Sequence, residues 1–178
     1  MPRQIALLRG INLGSRRRVA MGDLRDLLES LGYEDVKTYL RSGNVVLTSD
    51  LPDEKLGREL EKQIEAKLGV DPRVVVRTRD ELADVLARDP FEDTADDPKR
   101  YQVTFLSAEP DPERVRKLAE LDVEPEQFVV SGREIYAWHP EGLQRSKLAS
   151  ALTDERLGVT ATARNWNTVT KLRALADG

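Results

Sequence analysis

The chain contains no cysteine. Disulfides, thiolate metal sites and a cysteine nucleophile are therefore excluded. It has one histidine, His139, so multi-histidine metal sites are excluded and any Ser-His-Asp arrangement would depend on that single ring. Aromatic residues make up only 5% of the chain. No apolar run approaches the roughly 18 residues needed to cross a bilayer. The run Ile5-Ala6-Leu7-Leu8 near the start is too short for a signal-peptide core, so a cytoplasmic protein is expected. A dominant charge sign is lacking too: 32 acidic residues face 28 basic ones, for a net charge of −4. Nothing in that balance calls for a nucleic-acid partner. No residue set calls for a cofactor or a membrane partner, and the oligomeric state is not encoded legibly.

What the 178 residues do have is a hydrophobic content of 39% and a charged content of 34%. That suits one domain or two small ones with a heavily charged surface. Ile5 to Leu8 reads as a buried strand. Met21, Leu24, Leu27, Leu28 and Leu31 follow at helical spacing, with Gly32 as the stop. Val36 to Leu40 and Val45 to Thr48 read as strands joined by a turn at Arg41-Ser42-Gly43-Asn44, where Gly43 and Asn44 suit positive φ. Pro52 opens a helix carrying Leu56, Leu60, Ile64 and Leu68 on one face, and Val74 to Val76 form a further strand. Thr78 and Glu81 match a capping box that starts a third helix, ending before Pro90.

The segment Glu92 to Pro98 has four acids and no periodicity. It reads as an exposed acidic linker rather than a magnesium site. The second half repeats the order. A strand runs from Tyr101 to Leu106, and Asp111-Pro112 opens a helix. Phe128 to Val130 and Ile135 to Trp138 form a hairpin with Gly132 in its turn. A helix runs from Ser146 to about Leu157, a short strand covers Val159 to Ala163, and a last helix begins after Asn165. No residue-level identity between the halves is apparent. The expected architecture is α+β: two ferredoxin-like β-α-β-β-α-β subdomains packed together, with an extra C-terminal helix. The subdomains are expected at residues 1–90 (with the connecting helix) and 101–178, with the acidic linker at 91–100.

Polar residues gather at four junctions. The first is Arg9-Gly10-Ile11-Asn12-Leu13-Gly14, a glycine-bearing loop between a strand and a helix. Five arginines and no acids lie between Arg3 and Arg18, which suits an anion, although the loop is neither a Walker A motif nor a dinucleotide fingerprint. The second is Arg41-Ser42-Gly43-Asn44. The third is Gly142 to Lys147, where Arg145 and Lys147 flank an ordinary N-cap, Ser146; cations at a helix N-terminus oppose the macrodipole unless an anion offsets them. The fourth is Thr162-Ala163-Arg164-Asn165-Trp166-Asn167-Thr168, which reads either as caps and core or as a platform for stacking on a base. By contrast, Asp80 to Asp97 hold eight acids against Arg88 alone.

Taken in order, Ala6 to Gly14, Arg41 to Val46, Ser146 to Leu148 and Thr162 to Val169 resemble the bacterial family named domain of unknown function 1697. The resemblance spans nearly the whole chain. The arginine-rich Arg16 to Arg18 departs from the family's usual loop. The resemblance implies a mixed α+β fold with ferredoxin-like subdomains and no assigned activity. Its signature falls on Arg9, Gly10, Asn12, Gly14, Arg41, Ser42, Gly43, Asn44, Ser146, Lys147, Arg164, Asn165, Trp166, Asn167 and Thr168.

The expected function is binding of a phosphorylated small molecule or nucleotide where the four clusters converge between the halves. Arg9, Arg41, Lys147 and Arg164 would neutralise phosphate, and Trp166 would stack on a ring. A nucleic-acid-binding module is the alternative; Tyr136 and Trp138, two apart on one strand, support it. A phosphate-ester hydrolase or transferase in the same cleft is the third reading, weakened because Ser146 and Lys147 are adjacent and do not face each other on a helix.

Overall fold

A computed structural model describes residues 2–12 and 18–178. Gly14, Arg16 and Arg17 of the opening loop lie outside the described residues. Contact density divides the chain into two compact units, Met1–Ala83 with Lys171–Gly178, and Asp84–Thr170. The architecture is α+β. Each unit has β-α-β-β-α-β order and one four-stranded antiparallel sheet, and there is an additional C-terminal helix.

In the first unit the elements are β1 (Arg3–Arg9), α1 (Met21–Ser30), β2 (Glu34–Tyr39), β3 (Asn44–Thr48), α2 (Asp53–Leu68) and β4 (Arg73–Thr78). The sheet order is β2-β3-β1-β4. Side chains alternate between faces along a strand. Ala6 and Leu8 of β1 therefore join Val45, Leu47, Val74 and Val76 in the core that packs Leu24, Leu28, Leu56, Leu60 and Ile64 of the two helices. Ile5, Leu7, Val46 and Val75 lie on the other face and are buried as well. Burial of both faces explains why β1 reads as a continuous apolar run rather than an alternating one.

The helix α3 (Arg79–Arg88) follows β4 directly. Its capping box forms as expected: Glu81 Oε1 accepts from the Thr78 N–H at 2.8 Å, and Thr78 Oγ1 accepts from the Glu81 N–H at 3.1 Å.

The second unit contains β5 (Tyr101–Leu106), α4 (Pro112–Ala119), β6 (Gln127–Ser131), β7 (Glu134–Trp138), α5 (Lys147–Ala151), α6 (Asp154–Leu157) and β8 (Ala161–Asn165), in sheet order β6-β7-β5-β8. The strand order matches that of the first unit position for position. Leu106, Ile135, Ala137 and Ala161 face the helices α4 to α6, packing with Leu118, Leu148, Ala151 and Leu157. Tyr101, Val103, Phe105, Tyr136 and Trp138 lie on the opposite face, and all are buried. Phe91, in the segment expected to be an exposed linker, is also buried and meets Tyr101 edge-on at 5.8 Å. The last helix is α7 (Trp166–Asp177).

Two local expectations need correction. The helix read from Ser146 to Leu157 is two short helices. Leu152 leaves helical geometry, and the Thr153 hydroxyl accepts from the Arg156 N–H, so a second N-cap restarts the chain. At the first hairpin Gly43 has φ 97°, but the second left-handed residue is Leu40, at 62°. Asn44 instead begins β3, fully buried, and its amide donates to Tyr39 O at 2.7 Å.

The groove between α4 and α6 carries a tie that sequence periodicity does not show. Arg114 Nη1 donates to the carbonyls of Glu155 and Arg156, satisfying the end of α6. Gly158 follows at φ 74°, and a Cβ there would lie 2.8 Å from Arg114 Nε. Gly158→Ala is expected to cost about 1–2 kcal/mol from the left-handed backbone alone, and more while Arg114 is present. Urea denaturation checks this: the cost should be smaller in an Arg114→Ala background.

Candidate functional site

The first two sequence clusters meet. In the first unit the N–H of Leu8 donates to Gly43 O at 2.8 Å, so the hairpin tip lies against the end of β1. The space there is closed. A Cβ on Gly43 would lie 2.7 Å from Leu8 Cβ and 2.8 Å from Ile11 Cδ1. Asn12 then ties three segments together. Its amide nitrogen donates to Arg41 O at 2.7 Å and to Val19 O at 3.0 Å, while its Oδ1 accepts from the Val19 N–H at 2.6 Å. The side chain thus uses both ends of its amide. The residue adopts φ 54°, a left-handed geometry that Asn tolerates better than most residues.

Beside this tie is a cavity of about 410 Å³ lined by Asn12, Arg18, Val19, Ala20, Met21 and Arg41. Among the described residues no carboxylate lines it. Arg18 and Arg41 are exposed, and neither has an acidic partner among the described residues. The cavity borders the start of α1, whose N-cap is Ala20 and which lacks any side-chain cap. Arg9 ends β1 opposite Arg73, partly buried, and does not line the cavity. Gly10 (φ 88°) turns the chain out of the strand, and Ser42 accepts from Asn44 Nδ2 at 3.3 Å.

The third cluster is built differently from expectation. Ser146 caps α5, accepting from the Ala149 N–H at 2.9 Å. Its hydroxyl donates to Glu126 Oε2. His139 Nδ1 meets the same carboxylate oxygen at 2.5 Å, and Glu126 Oε1 accepts from the Leu148 N–H at 3.1 Å. A carboxylate only accepts, so Nδ1 carries the proton. His139 is fully buried and Ser146 nearly so. Burial would raise the Glu126 pKa, but the bonds from His139, Ser146 and Leu148 outweigh it and hold the carboxyl below its ordinary range. This is not a nucleophile–base arrangement. The serine proton goes to the carboxylate, and the imidazole nitrogen nearest the hydroxyl is already protonated. Glu126 was not legible as a partner: it lies in a loop without periodicity, and its only sequence signals were a lone histidine and an N-cap serine. Lys147 is exposed.

The fourth cluster is divided by the strand's alternation. Arg164 pairs with Val103 and shares its face, whereas α5 packs with Ala137 on the opposite face. Lys147 and Arg164 therefore lie on opposite faces of one sheet. Arg164 is buried, and burial lowers its pKa to about 10. Its Nη1 donates to Ala163 O at 2.9 Å. Asn165 caps α7, its Oδ1 accepting from the Thr168 N–H at 2.9 Å. Trp166 does stack on a ring, but the ring is Tyr101, at 4.5 Å and 10° between planes. Thr168 is buried and Asn167 exposed. Tyr136 and Trp138 share a face, as alternation requires, but both are buried, and the Tyr136 hydroxyl donates to Val85 O at 2.6 Å. Neither ring is open to a base.

Arg164 has a counterpart that the sequence reading did not find. Arg77 is likewise the penultimate residue of the last strand in its unit, likewise buried, and its Nη1 donates to Val76 O at 2.9 Å. In both units the next residue, Thr78 or Asn165, caps the following helix three residues on. The element-level repeat thus extends to one residue-level junction, Arg-Thr in one unit and Arg-Asn in the other.

Among the described residues no cluster of His, Asp and Glu is arranged to hold a metal ion, and no helix is long and apolar enough to cross a membrane. A family model described as "Protein of unknown function (DUF1697)" matches residues 1–136. No curated protein matches. A solved structure of a conserved bacterial protein from Streptococcus pneumoniae is similar to this chain, with a TM-score of 0.77 at 24% identity over 98% of both chains. At that identity it speaks to the fold alone.

Proposed function

Since the chain belongs to the DUF1697 family of proteins of unknown function, whose description names no activity, we propose from its geometry that it is a cytoplasmic protein binding a phosphorylated small molecule or nucleotide at the Asn12–Arg18–Arg41 cavity. The observation that carries this reading is a pair of arginines that, among the described residues, have no acidic partner and line a cavity without a carboxylate. The chain is acidic overall, with 32 acids to 28 bases, so a cavity lined only by cations and neutral groups runs against its average.

The other parts fit. A cavity of about 410 Å³ is in the size range of small-ligand sites. Val19, Ala20 and Met21 give apolar wall against which a sugar or ring can rest, while Arg guanidinium groups pair with phosphate oxygens in a fork. Asn12 holds the Arg41 and Val19 backbones in place, so the two cationic segments are positioned before any ligand arrives. Among the described residues the lining includes no carboxylate, imidazole or hydroxyl to serve as base or nucleophile. Binding is therefore better supported than hydrolysis or group transfer.

Isothermal titration with nucleotides and phosphosugars tests the reading. Arg41→Ala is expected to weaken binding roughly tenfold, the loss of one charge-assisted contact. The affinity of the wild type should also fall as salt is added. Absence of binding by every compound in both series would end this reading.

A further inference from the structure

The second unit has a cavity of its own, about 480 Å³, lined by Leu121, Asp122, Val123, Arg145, Ser146, Lys147, Ser150, Ala151 and Arg156. Three of those side chains are cations, and one is a carboxylate. None of Arg145, Lys147 and Arg156 has an ion-pair partner among the described residues. Among the described residues Arg18, Arg41 and the lysines are unpaired as well, whereas several arginines are paired. Arg25, Arg58, Arg79, Arg88, Arg100, Arg116 and Arg173 all sit within 4 Å of a carboxylate. In a chain where acids outnumber bases, three unpaired cations around one hollow form a local excess of positive charge that suits an anion.

The backbone adds a second, independent observation. The Ser146 N–H donates to Leu143 O at 3.1 Å, closing a four-residue turn. Arg145 occupies the third position of that turn with φ 67°. A turn position with positive φ is one that Gly or Asn fills at least cost. An arginine there is strained, as Leu40 is at φ 62°, and strain of this kind is found at ligand sites among other places. Its side chain lines the cavity. Ser150 brings a hydroxyl to the same wall, with its proton on Ser146 O at 2.9 Å and its lone pairs open to a donor. Leu121, Val123 and Ala151 form an apolar floor.

We infer that this cavity is a second anion site, taking a small phosphorylated compound between Arg145, Lys147 and Arg156. It is separate from the Asn12–Arg18–Arg41 cavity and shares no residue with it. The site does not depend on the N-terminus of α5, which is only five residues long. It depends on three side chains that come from a turn, a helix start and the end of α6. Asp122 in the lining reduces the local charge to +2, which selects against large polyanions and for a compact one.

The test is an amide-resolved NMR titration of the full chain with inorganic phosphate and then pyrophosphate. Saturable shifts are expected at residues 145–151 and at Arg156, weakening with added sodium chloride. Lys147→Ala and Arg156→Ala, both at exposed side chains, are each expected to weaken pyrophosphate binding roughly tenfold. Arg145→Gly is expected to weaken it as well while raising the melting temperature, because glycine relieves the turn. A folded Lys147→Ala or Arg156→Ala protein that binds as the wild type does, or an unperturbed 145–156 segment at saturating pyrophosphate, overturns the proposal. Shifts confined to the residues around Arg18 and Arg41 would overturn it too while supporting the first site. Loss at the first site alone, in Arg41→Ala, leaves this one standing.

Discussion

Gly43→Ala is expected to lower the melting temperature by roughly 10 °C, from about 2–5 kcal/mol of lost stability at about 2–4 °C per kcal/mol for a chain of this size. Two costs combine. At φ 97° a residue with a Cβ is forced into a conformation worth about 1–2 kcal/mol per L-residue. The added methyl would then meet Leu8 Cβ at 2.7 Å and Ile11 Cδ1 at 2.8 Å. Ile11 Cδ1 can swing, but Leu8 Cβ is fixed to its strand. Relief therefore requires β1 and the hairpin tip to part, which breaks the bond from Leu8 N–H to Gly43 O. Arg41 would move with the tip. The variant should thus lose ligand affinity at the first cavity even at temperatures where it is folded. Calorimetry and titration on the same sample measure both, and an unchanged melting temperature would mean that the tip does not lie against Leu8.

The second large effect is at Glu126. Truncation to alanine leaves His139 Nδ1–H, the Ser146 hydroxyl and the Leu148 N–H without their acceptor in a buried place. Removing one member of such a network costs about 3–5 kcal/mol. Acid should act on the same group. Its folded pKa lies below the ordinary value of 4.5. A carboxyl depressed in this way stabilises fully above its unfolded pKa and loses that contribution as pH falls through the folded one. The wild type is therefore expected to hold its stability from neutral pH to near 4.5 and to lose it below. Glu126→Gln, with no proton to take up there, should start lower and show a shallower acid limb. Asp177, also held low by its hydrogen bond to Arg79, belongs to the same acid window and remains in the variant as a control. Parallel acid limbs in the two proteins would show that Glu126 keeps no special charge.

The elements were legible because each rests on local chemistry. The capping pair Thr78 and Glu81, the stop at Gly32 and the two-residue turn at Gly132 are all decided within a few residues. Of the strand pairings, the hairpins β2–β3 and β6–β7 were legible, since a short turn joins each pair. What failed was also local: Thr153 could be read as a cap, and its signal was overridden by the apolar spacing of Leu148, Ala151 and Leu152. The site was less legible because its geometry is tertiary. Nothing near Gly43 in sequence announces Leu8. Nothing beside Arg164 tells whether its strand turns that side chain toward helices or away from them, and one register step would have placed it with Lys147. Asn12 could be marked as polar with a glycine two residues away, but its bonds to Val19 and to the more distant Arg41 are set by the fold. The stack of Trp166 on Tyr101 was not legible either, because the two residues lie far apart in sequence.

The membership of Lys171–Gly178 in the first unit has a consequence for the order in which the molecule is made. Arg3 Nη2 donates to Leu175 O at 3.4 Å, and Arg79 Nε holds Asp177 Oδ1 at 2.5 Å. A ribosome emits residues from the N-terminus onward, and domains fold as their residues become available. The unit built from residues 84–170 is continuous and can close on itself as soon as its last strand emerges. The unit begun first must wait for the final turn of α7. Of the two units, the one whose strands emerge first is thus the last to be completed, and a ribosome stalled before residue 171 would present one finished unit and one open sheet.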